Sequence, residues 1–101
     1  MTVSLHALPY DITAPGFYFH NIEDFHYLAA KTVNAHGDRV EEFDIRFIDG
    51  EPIDAALARA FSLHQDSVDQ YLKAVSQWDE DQKTSFIKSF FALNNAKIRY
   101  G

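Results

Sequence analysis

The sequence predicts an α+β domain: a small two- or three-stranded sheet with one helix, followed by a three-helix C-terminal part. Three observations carry this prediction. Phe43, Ile45 and Phe47 alternate with Glu42, Asp44 and Arg46, the period-two pattern of a strand with one buried and one wet face. Before it, Ile22, Phe25, Leu28, Ala29, Thr32 and Val33 recur at three- and four-residue spacing, as on one face of a helix. After Pro52 the apolar residues follow the helical period only, in three separate runs. Two or three extended pieces around one helix, then helices alone, give a sheet whose helical half packs as a small bundle.

Residues 3–8 and 16–19 read as short extended pieces. Pro9 and the Ala14, Pro15, Gly16 stretch punctuate them, because the residue before a proline is pushed out of the helical region. Phe17 and Phe19 share one face and Tyr18 takes the other. Asn21 is a good N-cap, with Asp24 three residues on, where an acid favours the helix dipole. The first helix then spans roughly 22–36, with Gly37 as the residue that ends it. The central strand covers 40–48, and Asp49 with Gly50 breaks it. Pro52 suits the first turn of the next helix because its missing N–H has no partner there. Ile53, Ala56, Leu57, Ala60 and Phe61 form that helix's apolar face. Val68, Tyr71, Leu72 and Val75 mark a second, with Asp66 in or near its first turn. Asp79 caps a third, and Gln82 is placed to reach back in a capping-box pair. Its apolar face holds Phe86, Ile87, Phe90 and Leu93, with Phe91 at the edge, and Asn94 and Asn95 are expected to end it. Residues 1–101 read as a single domain, with 93–101 an exposed tail or the stub of a longer protein.

A chain of 101 residues has room for one modest core. At 47% apolar residues it is too hydrophobic for a disordered segment, and nine Phe and five Tyr make that core aromatic-rich. No apolar run is long enough to span a membrane, and the first residues lack the basic and apolar regions of a signal peptide. With no cysteine there is no disulfide framework and no thiolate metal site, and the cytoplasm is the expected location. The net charge is −6, unevenly spread. Residues 1–83 hold six basic and fifteen acidic side chains, net −9, whereas 84–101 hold three basic ones and no acid. That sign repels nucleic acid, so no direct nucleic-acid binding is expected. It favours basic partners and speeds association with them.

No catalytic, metal or cofactor site is expected. None of the five histidines is paired at i,i+4, and their spacings match no metal pattern. Asp79, Glu80 and Asp81 resemble the start of a calcium loop but lack its glycine and terminal glutamate. Ser62, Ser67, Ser76 and Ser85 sit in no nucleophile elbow, and the four glycines form no phosphate loop. The sequence reads as that of a non-enzyme.

The constellation that stands out is acidic. Glu41, Glu42, Asp44, Asp49, Glu51 and Asp54 surround the central strand and turn, opposed only by Arg46. Outward residues on a strand repeat every ~6–7 Å, so Glu42 and Asp44 begin a ladder of negative charge. On the residues alone this is either a solvated strand face or a surface for a basic partner.

The stretch from Val40 to Gly50 resembles one found in ArdA-type antirestriction proteins. The flanks agree: Pro9 to Ile12 and Gly16 to Phe19 before it, and Gln65, Tyr71, Leu72 and Trp78 to Asp81 after it. The similarity runs from about Pro9 to Phe91, and members of that family are usually longer and more acidic. It implies a non-catalytic DNA mimic that occupies the DNA-binding groove of type I restriction–modification enzymes. Glu41, Glu42, Asp44, Asp49, Glu51 and Asp54 would form the mimicking surface, with Asp66, Asp69, Asp79, Glu80 and Asp81 as a secondary acidic surface. It also implies a homodimer and no cofactor. The competing expectation is a regulatory or scaffold domain that uses its aromatic and helical surface, with Tyr10, Tyr18 and Trp78 the aromatics least committed to a periodic face.

Overall fold

The computed structural model describes residues 3–100, with side chains described over residues 3–93. In chain order the elements are β1 (Ser4–Pro9), β2 (Phe17–Phe19), α1 (Ile22–Lys31), β3 (Phe43–Asp49), α2 (Pro52–Ala60), α3 (Val68–Gln77) and α4 (Glu80–Tyr100). The strands form one antiparallel sheet in the order β2-β1-β3. This is an α+β fold. No helix among the described residues is long and apolar enough to cross a membrane.

Alternation along the strands sorts their side chains onto two faces. Leu5 and Ala7 of β1, Phe19 of β2, and Phe43 and Ile45 of β3 are buried in one core with Phe25 and Ala29 of α1, Leu57 and Ala58 of α2, and Val68, Tyr71 and Leu72 of α3. The helices therefore cover one face of the sheet. The other carries His6, Leu8, Tyr18, Asp44, Arg46 and Ile48, none of them buried. Under the sheet, Phe17, Phe19, Phe25 and Phe43 form an aromatic cluster with ring centroids between 5.0 and 6.0 Å apart. A second cluster joins Phe61, Tyr71, Trp78 and Phe86 at the far end of the helical layer.

Three boundaries differ from the sequence expectation. The first helix stops at Lys31 instead of running to residue 36. Thr32 turns extended, and its hydroxyl donates to the Leu28 carbonyl at 2.9 Å. Val33 then pairs with Arg39 in a β-bridge. The Asn34 side chain accepts from the backbone N–H groups of His36 and Asp38, offering the chain a turn in place of a helix. Gly37 serves that turn, with φ +83°, and is not a helix terminator. The central strand begins at Phe43, three residues later than expected. Finally, Asn94 and Asn95 do not end α4, which continues to Tyr100. Asparagine costs only about 0.7 kcal/mol in a helix relative to alanine, and residues 80–100 contain neither glycine nor proline.

Asp79 and Gln82 form the expected capping box. Asp79 Oδ1 accepts from the Gln82 N–H at 2.8 Å, and Gln82 Oε1 from the Asp79 N–H at 2.9 Å. At 21 residues α4 is ~31 Å long, and its main packing partner is α2.

Candidate functional site

β3 is an edge strand, with β1 on one side only. Its acids do not form a continuous ladder. Glu41 and Glu42 precede the strand, Asp49 closes it and Glu51 follows, all four exposed. None of the four makes an ion pair among the described residues. A rise of ~3.3 Å per residue puts Glu42 and Asp49 about 23 Å apart, so the free carboxylates stand as two pairs, one at each end of the strand.

Asp44 lies between the two pairs, on the open face, but it is not free. Arg46 Nε donates to its Oδ2 at 2.8 Å, which neutralises the middle of the strand. The same contact holds the Arg46 guanidinium more firmly protonated than usual.

Asp54 is a correction to the sequence reading. It is 3% exposed and cannot belong to an acidic surface. Its Oδ1 accepts from Lys83 Nζ at 2.8 Å, and Lys83 is itself 9% exposed. The Tyr71 hydroxyl donates to the Asp54 backbone carbonyl at 2.8 Å. Burial first, and the Asp54 charge second, push the Tyr71 phenol above its ordinary range, so it remains a donor. Aspartate and lysine here form an internal bolt between α2 and α4. Periodicity held the signal for it. Asp54 precedes Leu57 and Ala58 by three and four residues, and Lys83 precedes Phe86 and Ile87 likewise, so both charges fall on apolar stripes.

The secondary acids are scattered. Asp69 pairs with Lys73 at 3.5 Å, Asp66 lies 3.6 Å from His64 Nδ1, and Asp79 is occupied as a cap. Glu80 and Asp81 are exposed beside it in the first turn of α4, where acids favour the helix dipole.

Gln65 is a residue whose role the sequence did not disclose. Its Oε1 accepts from the Phe43 N–H at 2.6 Å, and its Nε2 donates to the Glu41 carbonyl at 3.0 Å. The side-chain amide thereby takes the place of one peptide group of a neighbouring strand, and it holds the first acidic pair against β3. Gly50, with φ +156°, makes the turn that carries the second pair; an added Cβ there would come within 3.0 Å of Phe47 and Val3.

Among the described residues no group of three or more histidine and carboxylate side chains converges as a metal site. Compared with known proteins, the chain matches no family model, no curated protein and no solved structure.

Proposed function

We propose that this chain is an ArdA-like antirestriction module: a non-catalytic acidic protein that binds type I restriction–modification enzymes in the cytoplasm by occupying their DNA-binding groove. The observation that carries the reading is the rim of four carboxylates, Glu41, Glu42, Asp49 and Glu51, without ion pairs among the described residues and held at the two ends of one edge strand. It is joined by the resemblance of Val40 to Gly50 to that family. Carboxylates on ordered backbone stand in for phosphates, and a basic groove gains by exchanging its counterions for them. Asp44 and Asp54 have no part in this rim, because Arg46 and Lys83 neutralise them.

The test is displacement of a labelled target duplex from a type I methyltransferase core, titrated with the purified chain at low and moderate salt. Displacement that weakens as salt rises is the expected result. The combined substitution Glu41→Gln, Glu42→Gln, Asp49→Asn and Glu51→Gln should weaken it by about ten- to a hundredfold. Unchanged displacement by that folded variant would remove the rim from the mechanism.

A second reading, a scaffold domain without a nucleic-acid-binding partner, is favoured by the uncovered sheet face. Leu8, Tyr18 and Ile48 are 46%, 62% and 49% exposed there, and apolar contact through them would persist in salt that abolishes mimicry.

A further inference from the structure

The outer edge of β3 has a polarity that the ladder with β1 determines. The two strands pair in antiparallel register, with His6 opposite Arg46, Ala7 opposite Ile45, Leu8 opposite Asp44 and Pro9 opposite Phe43. The Tyr10 N–H donates to the Glu42 carbonyl at 3.2 Å. In such a ladder every second pair exchanges both backbone bonds, so Glu42, Asp44 and Arg46 turn their N–H and C=O groups toward β1. Phe43, Ile45 and Phe47 turn theirs away from it. Pro9, which has no N–H to give, stands opposite an outward-turned residue, as this phase requires. Gln65 Oε1 accepts from the Phe43 N–H from outside, and among the described residues no strand lies beyond Ile45 and Phe47.

Beside this stretch of edge runs a groove of ≈ 360 Å³, lined by Ile45, Phe47, Ala55, Ala58, Arg59 and Leu63. It exists because α2 presents alanines, not larger side chains, next to the inner-face residues of β3. An edge strand with outward backbone groups, flanked by an apolar trough and a helix, is the geometry of strand addition: the backbone supplies hydrogen bonds and alternate side chains fill the trough. The ends of the strand carry Glu41 and Glu42 on one side and Asp49 and Glu51 on the other. Among the described residues the one cation lining the trough is Arg59, which keeps positive charge out of the middle of any occupant.

The geometry points to the β3 edge as a docking site for an extended segment of a partner protein, apolar at alternate positions, neutral at its centre and basic at both ends. The segment adds as a fourth strand beside Ile45 and Phe47. A second copy of this chain is a poorer occupant, because antiparallel pairing of β3 with itself would set Glu41 and Glu42 of one copy beside Asp49 and Glu51 of the other, and like charges so placed repel. Strand addition does not depend on the carboxylate rim mimicking DNA.

The probe is a synthetic peptide matched to the seven residues of β3, alternating valine and threonine with arginine at each end, and a control with glutamate at each end. Binding is read by fluorescence anisotropy and by hydrogen exchange of the full chain. The arginine-ended peptide should bind and slow exchange at the Ile45 and Phe47 amides, leaving Asp44 and Arg46, already bonded to β1, unchanged. The glutamate-ended peptide should bind at least about tenfold more weakly. Ala55→Trp, which fills the trough, should weaken binding by about tenfold or more; if that variant does not fold, the exchange pattern of the unsubstituted chain decides. No binding by folded protein, protection elsewhere such as on β2, equal binding of the two peptides, or a concentration-dependent dimer through β3 in sedimentation would each overturn the assignment.

Discussion

Asp54 shows how one residue type does opposite things a few positions apart. Asp49 is held to solvent by the turn at Gly50, whereas Asp54, five residues on, is inside and depends on Lys83. Removing one member of a buried pair leaves the other as an uncompensated buried charge, so Asp54→Ala should destabilise the domain by roughly 3–5 kcal/mol. Asp54→Leu combined with Lys83→Met should recover most of that loss, since an apolar pair of similar volume has no charge to desolvate. Urea unfolding of the two variants beside the unsubstituted chain checks this, and equal losses in the single and double variants would refute it. Asp11 makes a pH prediction. Its carboxylate accepts from the Thr13 hydroxyl at 2.7 Å, the Thr13 N–H at 2.9 Å and the Asn34 amide at 3.0 Å. The Thr13 hydroxyl bond is the largest cause holding its pKa below the ordinary 3.8. A carboxylate depressed in the folded state contributes stability that is present above its unfolded pKa and is lost as pH falls through the folded one. The loop contacts made by Asp11 should therefore persist down to pH 3.8 and fail below it. Carbon NMR titration of Asp11 should give a midpoint under 3.8, rising in Thr13→Ala.

At the scale of elements, α4 is the least embedded helix. Among its described residues only Lys83 is buried, while Phe86, Ile87 and Phe90 are half-buried and Phe91 and Leu93 are exposed. Its docking onto α2 rests on the buried ion pair and on Phe86, which stacks on Phe61 at 4.7 Å and lies 5.4 Å from Trp78. Phe86→Ala should cost about 2 kcal/mol, below the 3–5 kcal/mol of a fully buried phenylalanine. It should also shift the emission of Trp78, the single tryptophan. A variant with unchanged emission and unfolding midpoint would show that α4 docks through other contacts. The end of α1, like that of α4, was not legible in the sequence. Thr32 and Val33 continue the helical period but lie just before a turn in which the Asn34 side chain captures the backbone N–H groups of His36 and Asp38. Periodicity reports which face a side chain would take, not whether a local turn competes for the backbone.

For the whole molecule, the arrangement of charge bears more on function than its total does. Four free acids stand at the ends of β3, a neutral pair occupies its centre, and the remaining acids are dispersed over helix starts and turns. Because the four make no ion pairs among the described residues, replacing them together with amides should leave the unfolding midpoint unchanged, or raise it slightly at low salt as self-repulsion falls. A fall of several degrees in a calorimetric scan would mean that the rim is part of the fold. The chain's radius of gyration of 15.5 Å exceeds the ~13 Å of a compact domain of this size. The 47 × 35 × 17 Å extents describe a flat molecule, and its sheet ends in two edge strands, β2 and β3.

What the sequence determined by itself was local. The period-two run at Phe43–Asp49, the proline at the start of α2, the capping box at Asp79 and Gln82, and the helical stripes each follow from interactions within a few residues, and the fold class follows from their order. The tertiary structure alone decided the rest. That β1 lies between β2 and β3, that Asp54 meets Lys83 across 29 positions, and that Gln65 closes the start of an edge 22 residues away all depend on pairings between segments far apart in the chain. Such pairings are selected by the summed packing of the core, which no single local pattern encodes.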